Sequence, residues 1–107
     1  LKHFKNKLIF CASDFISLGL LDAAAKGGFK PGKDFILVSY DNLEDYGMHP
    51  FAEPFLTTID YPKKEIAKRA VELTIAAVKN HDRCQHIIKV PTNLIIRQTG
   101  LNKPKEI

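Results

Sequence analysis

Apolar and polar residues fall in blocks along this chain, and the blocks define its elements. Leu8-Ile9-Phe10-Cys11-Ala12 is a short unbroken apolar run, which predicts a strand buried on both faces. Ser13-Asp14 follows, and either side chain is suited to cap a helix by accepting from its free amides. The spacing predicts that helix over residues 15–26, ended by Gly27-Gly28, where glycine accommodates a left-handed turn. Ile16, Leu20 and Ala24 share one side of it, while Leu18, Leu21 and Ala25 spread onto another. A helix apolar on more than one side is covered on more than one side, here by its own sheet and by a partner. Gly19 costs about 1 kcal/mol against alanine in mid-helix, so a close approach by another element is expected there.

A second apolar run, Phe35-Ile36-Leu37-Val38-Ser39-Tyr40, completes a strand–helix–strand unit with parallel strands. The polar segment 41–50 reads as irregular, with at most a helical turn, and Leu56-Thr57-Thr58-Ile59 reads as a brief strand. Pro62 suits the first position of a helix. Ile66, Ala70, Leu73 and Ala77, flanked by Val71, Ile75 and Val78, then repeat at helical spacing to about Asn80. Residues 86–90 and 93–97 read as two further strands around Pro91, and the polar tail from Leu101 is expected to fray. The expected fold class is α/β, a parallel sheet with flanking helices.

At 107 residues, with 45% hydrophobic and 26% charged residues, the chain has the balance of one small globular domain. The net charge is +4, with Lys and Arg spread along the chain, and the densest group, Lys63, Lys64, Lys68 and Arg69, reads as a solvated helix face. No aromatic residues interleave with it, so no nucleic-acid surface is predicted. Cys11 and Cys84 lie in no metal or redox spacing, and Cys11 reads as a small buried thiol. No apolar stretch is long enough to span a membrane, and no secretion signal is expected. Opening on Leu1-Lys2-His3 instead of Met, the sequence is expected to be part of a longer protein.

In open α/β sheets, ligands gather at the carboxyl ends of the parallel strands. Two polar pairs are expected on that rim: Ser13 and Asp14 after the first strand, Asp41 and Asn42 after the second. Asp14 reads as a helix cap and Asn42 as a turn former. Asp41 reads as a ligand contact, because it follows a buried strand and precedes no strong helix. Carboxylates and small hydrogen-bonding groups together suit a polyhydroxylated ligand. Other patterns fail. Residues 27–34 imitate a phosphate loop but join helix to strand and carry Asp34 where Ser or Thr is needed. His3, His49, His81 and His86 have no metal spacing, and Glu44-Asp45 reads as solvated surface. Nothing assembles a nucleophile, a base and an orienting group, so neither catalysis nor a cofactor is expected.

Taken in order, Ile9-Phe10-Cys11-Ala12-Ser13-Asp14, Leu18-Gly19, residues 35–42, Leu56-Thr57-Thr58-Ile59 with Pro62, and residues 91–99 resemble the C-terminal third of LacI/GalR transcription regulators. The resemblance implies a type I periplasmic-binding-protein-like, Rossmann-like core, here an incomplete lobe. Residues 1–59 and 93–99 would form the C-terminal lobe, with 60–92 belonging to the other. It implies a small-molecule effector, a sugar or a related polar metabolite, bound between the lobes, a homodimer in the cytoplasm, and DNA bound only through a helix-turn-helix absent from this chain. The effector-contacting aspartate falls on Asp41. Ser13 stands where the family usually has asparagine, Tyr61 where glutamine is common, and Ser39 where glycine is usual. Tyr61 would stack on a sugar ring. The helix after Ser13 would form the dimer interface through Leu18 and Leu21, with Asp22 at the rim. With most of the other lobe absent, the helix from Pro62 would fold back on the sheet or dock on a neighbouring chain. A free-standing periplasmic sugar-binding protein shares these features, and a small magnesium-dependent enzyme or receiver domain would need a third acidic residue.

Overall fold

The computed structural model describes residues 3, 5–48 and 53–101. The polar tail beyond Leu101 and His49-Pro50 lie outside them. The elements run β1 (Leu8–Phe10), α1 (Asp14–Lys26), β2 (Ile36–Tyr40), a 3-10 turn (Leu43–Tyr46), β3 (Thr57–Asp60), α2 (Lys63–Lys79), β4 (Asn93–Ile95) and a second 3-10 turn (Gln98–Gly100). The strands form one sheet in the order β1-β2-β3-β4. β1 pairs parallel with β2, from Leu8↔Ile36 to Phe10↔Val38, and β2 pairs parallel with β3. β4 returns antiparallel beside β3, so the sheet is mixed rather than wholly parallel. The fold is α/β.

The chain divides into two compact units, Leu1–Asp60 with Asn93–Ile107, and Tyr61–Thr92. In the first, α1 lies along β2. Ser13 is its N-cap, in extended backbone, and its side chain accepts from the Phe15 amide at 3.2 Å. The core gathers Cys11, Leu21, Ala24, Phe35, Leu37 and Leu56, with Ile9, Leu20, Phe29 and Phe55 packed against it. Leu37 is fully enclosed, and a side chain of that kind contributes about 1.5–3 kcal/mol by leaving water. Ser17 donates to Ser39 at 2.8 Å inside this layer. The serine that stands where the resembled family has glycine is thereby given a partner from α1.

Two expectations change here. β1 is not buried on both faces: Leu8 and Phe10 are exposed, because α1 covers only the side that holds Leu37 and Ser39. Gly19 has open space where a side chain would project, so among the described residues no element makes the close approach expected there. Gly32 is a glycine the fold requires. Its φ is +76°, and a Cβ would stand 2.5 Å from the Gln98 carbonyl oxygen. The turn after α1 is thus seated on the second 3-10 turn.

The second unit is built on α2, in which no residue is buried. Ion pairs Arg69–Glu65 at 2.8 Å and Lys68–Glu72 at 3.9 Å run along it, while Ile66, Val71, Ile75 and Val78 stay exposed. Such exposed i,i+4 pairs add only a few tenths of a kcal/mol each, roughly 0.3–0.5. The strand expected over residues 86–90 is not formed. Its apolar residues Ile87 and Ile88 are exposed, since a strand exists only where a neighbour takes its amides and carbonyls.

Candidate functional site

Because β1 and β2 are parallel neighbours in register, Ser13 and Asp41 both lie just beyond carboxyl ends on the same edge of the sheet. Asp41 has φ +116° and Asn42 φ +53°, two consecutive non-glycine residues in a region L-residues rarely adopt. Such conformations cost on the order of 1–3 kcal/mol each and persist only when the surroundings over-determine them. The surroundings do so here. The Asp41 amide donates to the Ile59 carbonyl at 3.0 Å, and the Asn42 amide donates to Thr58 Oγ1 at 3.2 Å. Asp41 itself is half-buried, and its carboxylate makes no hydrogen bond or ion pair among the described residues. The chain therefore holds a strained backbone in place and leaves the carboxylate at its apex free to accept.

Asp14 has a different job from the two considered for it. It neither caps α1, which Ser13 does, nor faces outward. It is 2% exposed, and its Oδ2 accepts from the Leu43 amide at 2.7 Å while Oδ1 accepts from Thr58 Oγ1 at 3.1 Å. One buried carboxylate thus ties the start of α1 to the loop after β2 and to β3.

Below the Asp41–Asn42 corner sits a second knot that the sequence reading missed. Glu44, expected on solvated surface, is 3% exposed. Its carboxylate accepts from the Phe55 amide at 2.9 Å, from the Leu56 amide at 2.8 Å and from Arg97 Nη1 at 3.0 Å. Arg97 Nη2 donates to Asn42 Oδ1 at 2.9 Å and to Asp45 Oδ1 at 2.8 Å, and Asn42 Nδ2 donates to Asp45 Oδ2 at 2.7 Å. Thr57 Oγ1 bonds both the amide and the carbonyl of Arg97, and Thr99 Oγ1 joins the Thr57 amide to the Leu37 carbonyl. Removing one partner from a buried ion pair costs about 3–5 kcal/mol, because the other charge is stranded. The only sequence signal was indirect: Arg97 stood in the resembled motif without an assigned role.

The three residues expected at a dimer interface all line one apolar cavity of about 660 Å³, with Ala25, Phe29 and Phe55 among its other walls. They differ in what they still expose. Leu21 turns into the core and keeps 9% exposure, Leu18 is half-buried, and Asp22 lies open, bonded to Lys26 at 2.7 Å. In the other unit, Tyr61 is half-buried and its ring already has Lys63 Nζ 4.1 Å from the centroid. Cys11 is buried and Cys84 exposed, both as free thiols. Among the described residues, no group of three or more His, Cys, Asp or Glu is placed to hold a metal ion. Among them, too, no helix is long and apolar enough to cross a membrane.

Comparison with known proteins places this geometry in context. A model of the periplasmic binding protein-like domain matches residues 2–100. The chain is 28% identical over 97 residues to the HTH-type transcriptional repressor PurR of Aliivibrio fischeri strain MJ11, covering 91% of this chain and 28% of that protein. It is 30% identical over 91 residues to the repressor of the same name from Vibrio parahaemolyticus, covering 85% of this chain and 26% of that one. The Vibrio campbellii repressor is 29% identical over 91 residues, with the same coverage of 85% and 26%. The chain therefore spans little more than a quarter of the length of these relatives.

Proposed function

Since the chain belongs to the periplasmic binding protein-like domain family, we propose that it is part of the effector-binding region of a LacI/GalR-type transcription regulator. The observation that carries this is Asp41, an unpartnered carboxylate on a strained corner at the carboxyl edge of the sheet, beside Ser13. The effector is a small polar molecule, a sugar or a related metabolite, whose hydroxyl or N–H groups donate to Asp41. Ser13 spends one lone pair on the Phe15 amide and keeps its hydroxyl proton for a ligand acceptor. Tyr61 is a separate candidate, as an aromatic surface for a ring of the ligand. The role is binding, not catalysis, in the cytoplasm.

Residues 60–92 are assigned to the other lobe of the intact protein, which would supply a cover for the apolar stripe of α2. The protein acts as a homodimer, with the cavity beside Leu18, Leu21 and Asp22 receiving side chains of a second copy. The relatives carry an HTH name, whereas the two helices here are separated by two strands. DNA contact is accordingly assigned to a segment other than this one. Effector binding changes operator affinity only so far as the effector distinguishes the two states.

Thermal denaturation of the protein against a panel of monosaccharides, polyols and nucleobases tests the site. At least one compound should raise the melting temperature, and Asp41→Asn, which tolerates positive φ better than alanine would, should abolish the rise. A panel without effect, or an Asp41→Asn protein that still responds, removes the reading.

A further inference from the structure

A carboxylate that selects a ligand must be held to within roughly half an ångström, and groups outside the contact do the holding. Asp41 has no side-chain anchor, so its position is inherited from the backbone of Asp41, Asn42 and Leu43. Three bonds hold that backbone, two from β3 through Ile59 and Thr58 and one from the start of α1 through Asp14. Among the described residues, Arg97 is the one whose side chain grips Asn42 and both acidic residues of the following turn. We propose that Arg97 is a positioning residue of the effector site: its guanidinium fork locks the Asn42 side chain, and so fixes the direction of the Asp41 carboxylate. This rests on the effector reading of Asp41.

The fork matters more than the charge. Nη1 serves Glu44 and the Leu56 carbonyl, whereas Nη2 serves Asn42 and Asp45. A lysine presents one compact ammonium on a flexible stem and does not span both sets. Arg97→Lys thus keeps the neutralisation of buried Glu44 while releasing Asn42. Arg97 also follows β4 directly, so the same residue anchors the strand by which the chain re-enters the first unit to the corner that carries Asp41.

Amide hydrogen exchange read by NMR tests this without any ligand, because the amides of Asp41, Asn42 and Leu43 each have an acceptor in another element. In Arg97→Lys, exchange at Asn42 and Leu43 should rise about tenfold more than at a core amide such as Leu37, the signature of local opening. Thr99→Val is the structural control: it sits on the same C-terminal turn and should raise all of these rates together. The paired variant Glu44→Gln/Arg97→Met removes the fork without stranding a buried charge, and should loosen Asn42 and Leu43 in the same way. Should Arg97→Lys fail to fold, that paired variant decides. Rates at Asn42 and Leu43 that merely follow Leu37 in either variant overturn the proposal and leave the effector reading standing. A ligand panel without effect removes the effector reading and leaves the hold of Arg97 on the loop intact.

Discussion

The carboxylate of Asp14 and the amide of Leu43 meet at 2.7 Å, although 29 positions separate them in the chain. The contact joins the first turn of α1 to the corner after β2, and the other oxygen of Asp14 extends the tie to Thr58. Asp14→Ala leaves a buried amide and a buried hydroxyl without an acceptor, at about 1–3 kcal/mol apiece. Urea denaturation should show a loss of roughly 2–4 kcal/mol, with Asp14→Asn losing less because an amide oxygen still accepts. A loss below 1 kcal/mol for alanine would mean the tie is not formed in solution.

Ser17 and Ser39 offer a second energetic test, since each is the other's buried partner. Ser17→Ala and Ser39→Ala should each destabilise by about 1–2 kcal/mol. The double variant should cost less than the sum, by roughly 1 kcal/mol, because nothing is then left unpaired. Strict additivity would show that the two hydroxyls do not meet.

The proposed dimer face predicts a change in mass without a change in fold. Leu18→Glu places a charge at the rim of the apolar cavity and should weaken self-association at least about tenfold, read by analytical ultracentrifugation. The far-ultraviolet spectrum should stay as it is. A dimer of unaltered affinity would place the interface elsewhere.

Asp82 gives a pH prediction in the other unit. Its carboxylate accepts from the Cys84 amide at 2.7 Å and bonds His86 Nε2 at 2.7 Å. The Cys84 amide, and after it His86, hold its pKa down from 3.8 to about 2. Because the folded value is the lower one, the turn gains its full stabilisation above 3.8 and loses it as pH falls through about 2. The Cys84 amide resonance should titrate with a midpoint near 2, and a midpoint at 3.8 would show the turn open.

What the sequence made legible follows from the range of the forces involved. The apolar runs before Ser13 and Asp41 placed β1, β2 and α1 to within a residue or two, because period and capping are local properties. The same locality placed α2 from its repeat of Ile66, Ala70, Leu73 and Ala77. Glu44 and Arg97 escaped, since their pairing spans 53 positions and two adjacent acids give no hint that one is buried and the other is not. Residues 86–90 misled for the opposite reason. Their composition suits a strand, but strand formation belongs to a pair of segments, and no partner is formed for them here.

The pairing of Asp60 with Asn93 has a consequence for how this chain can be re-engineered. Everything between them, Tyr61–Thr92, leaves and re-enters the sheet at two residues that face each other across an antiparallel ladder. Topologically β3 and β4 are the arms of a hairpin whose tip carries a whole excursion as an insertion. A two-residue Asn-Gly loop would close those arms without asking any strand to change direction. The described partners of Asn42, Glu44 and Arg97 all lie in the unit that such a loop would leave in place, so the corner that carries Asp41 would keep those supports in the shortened chain.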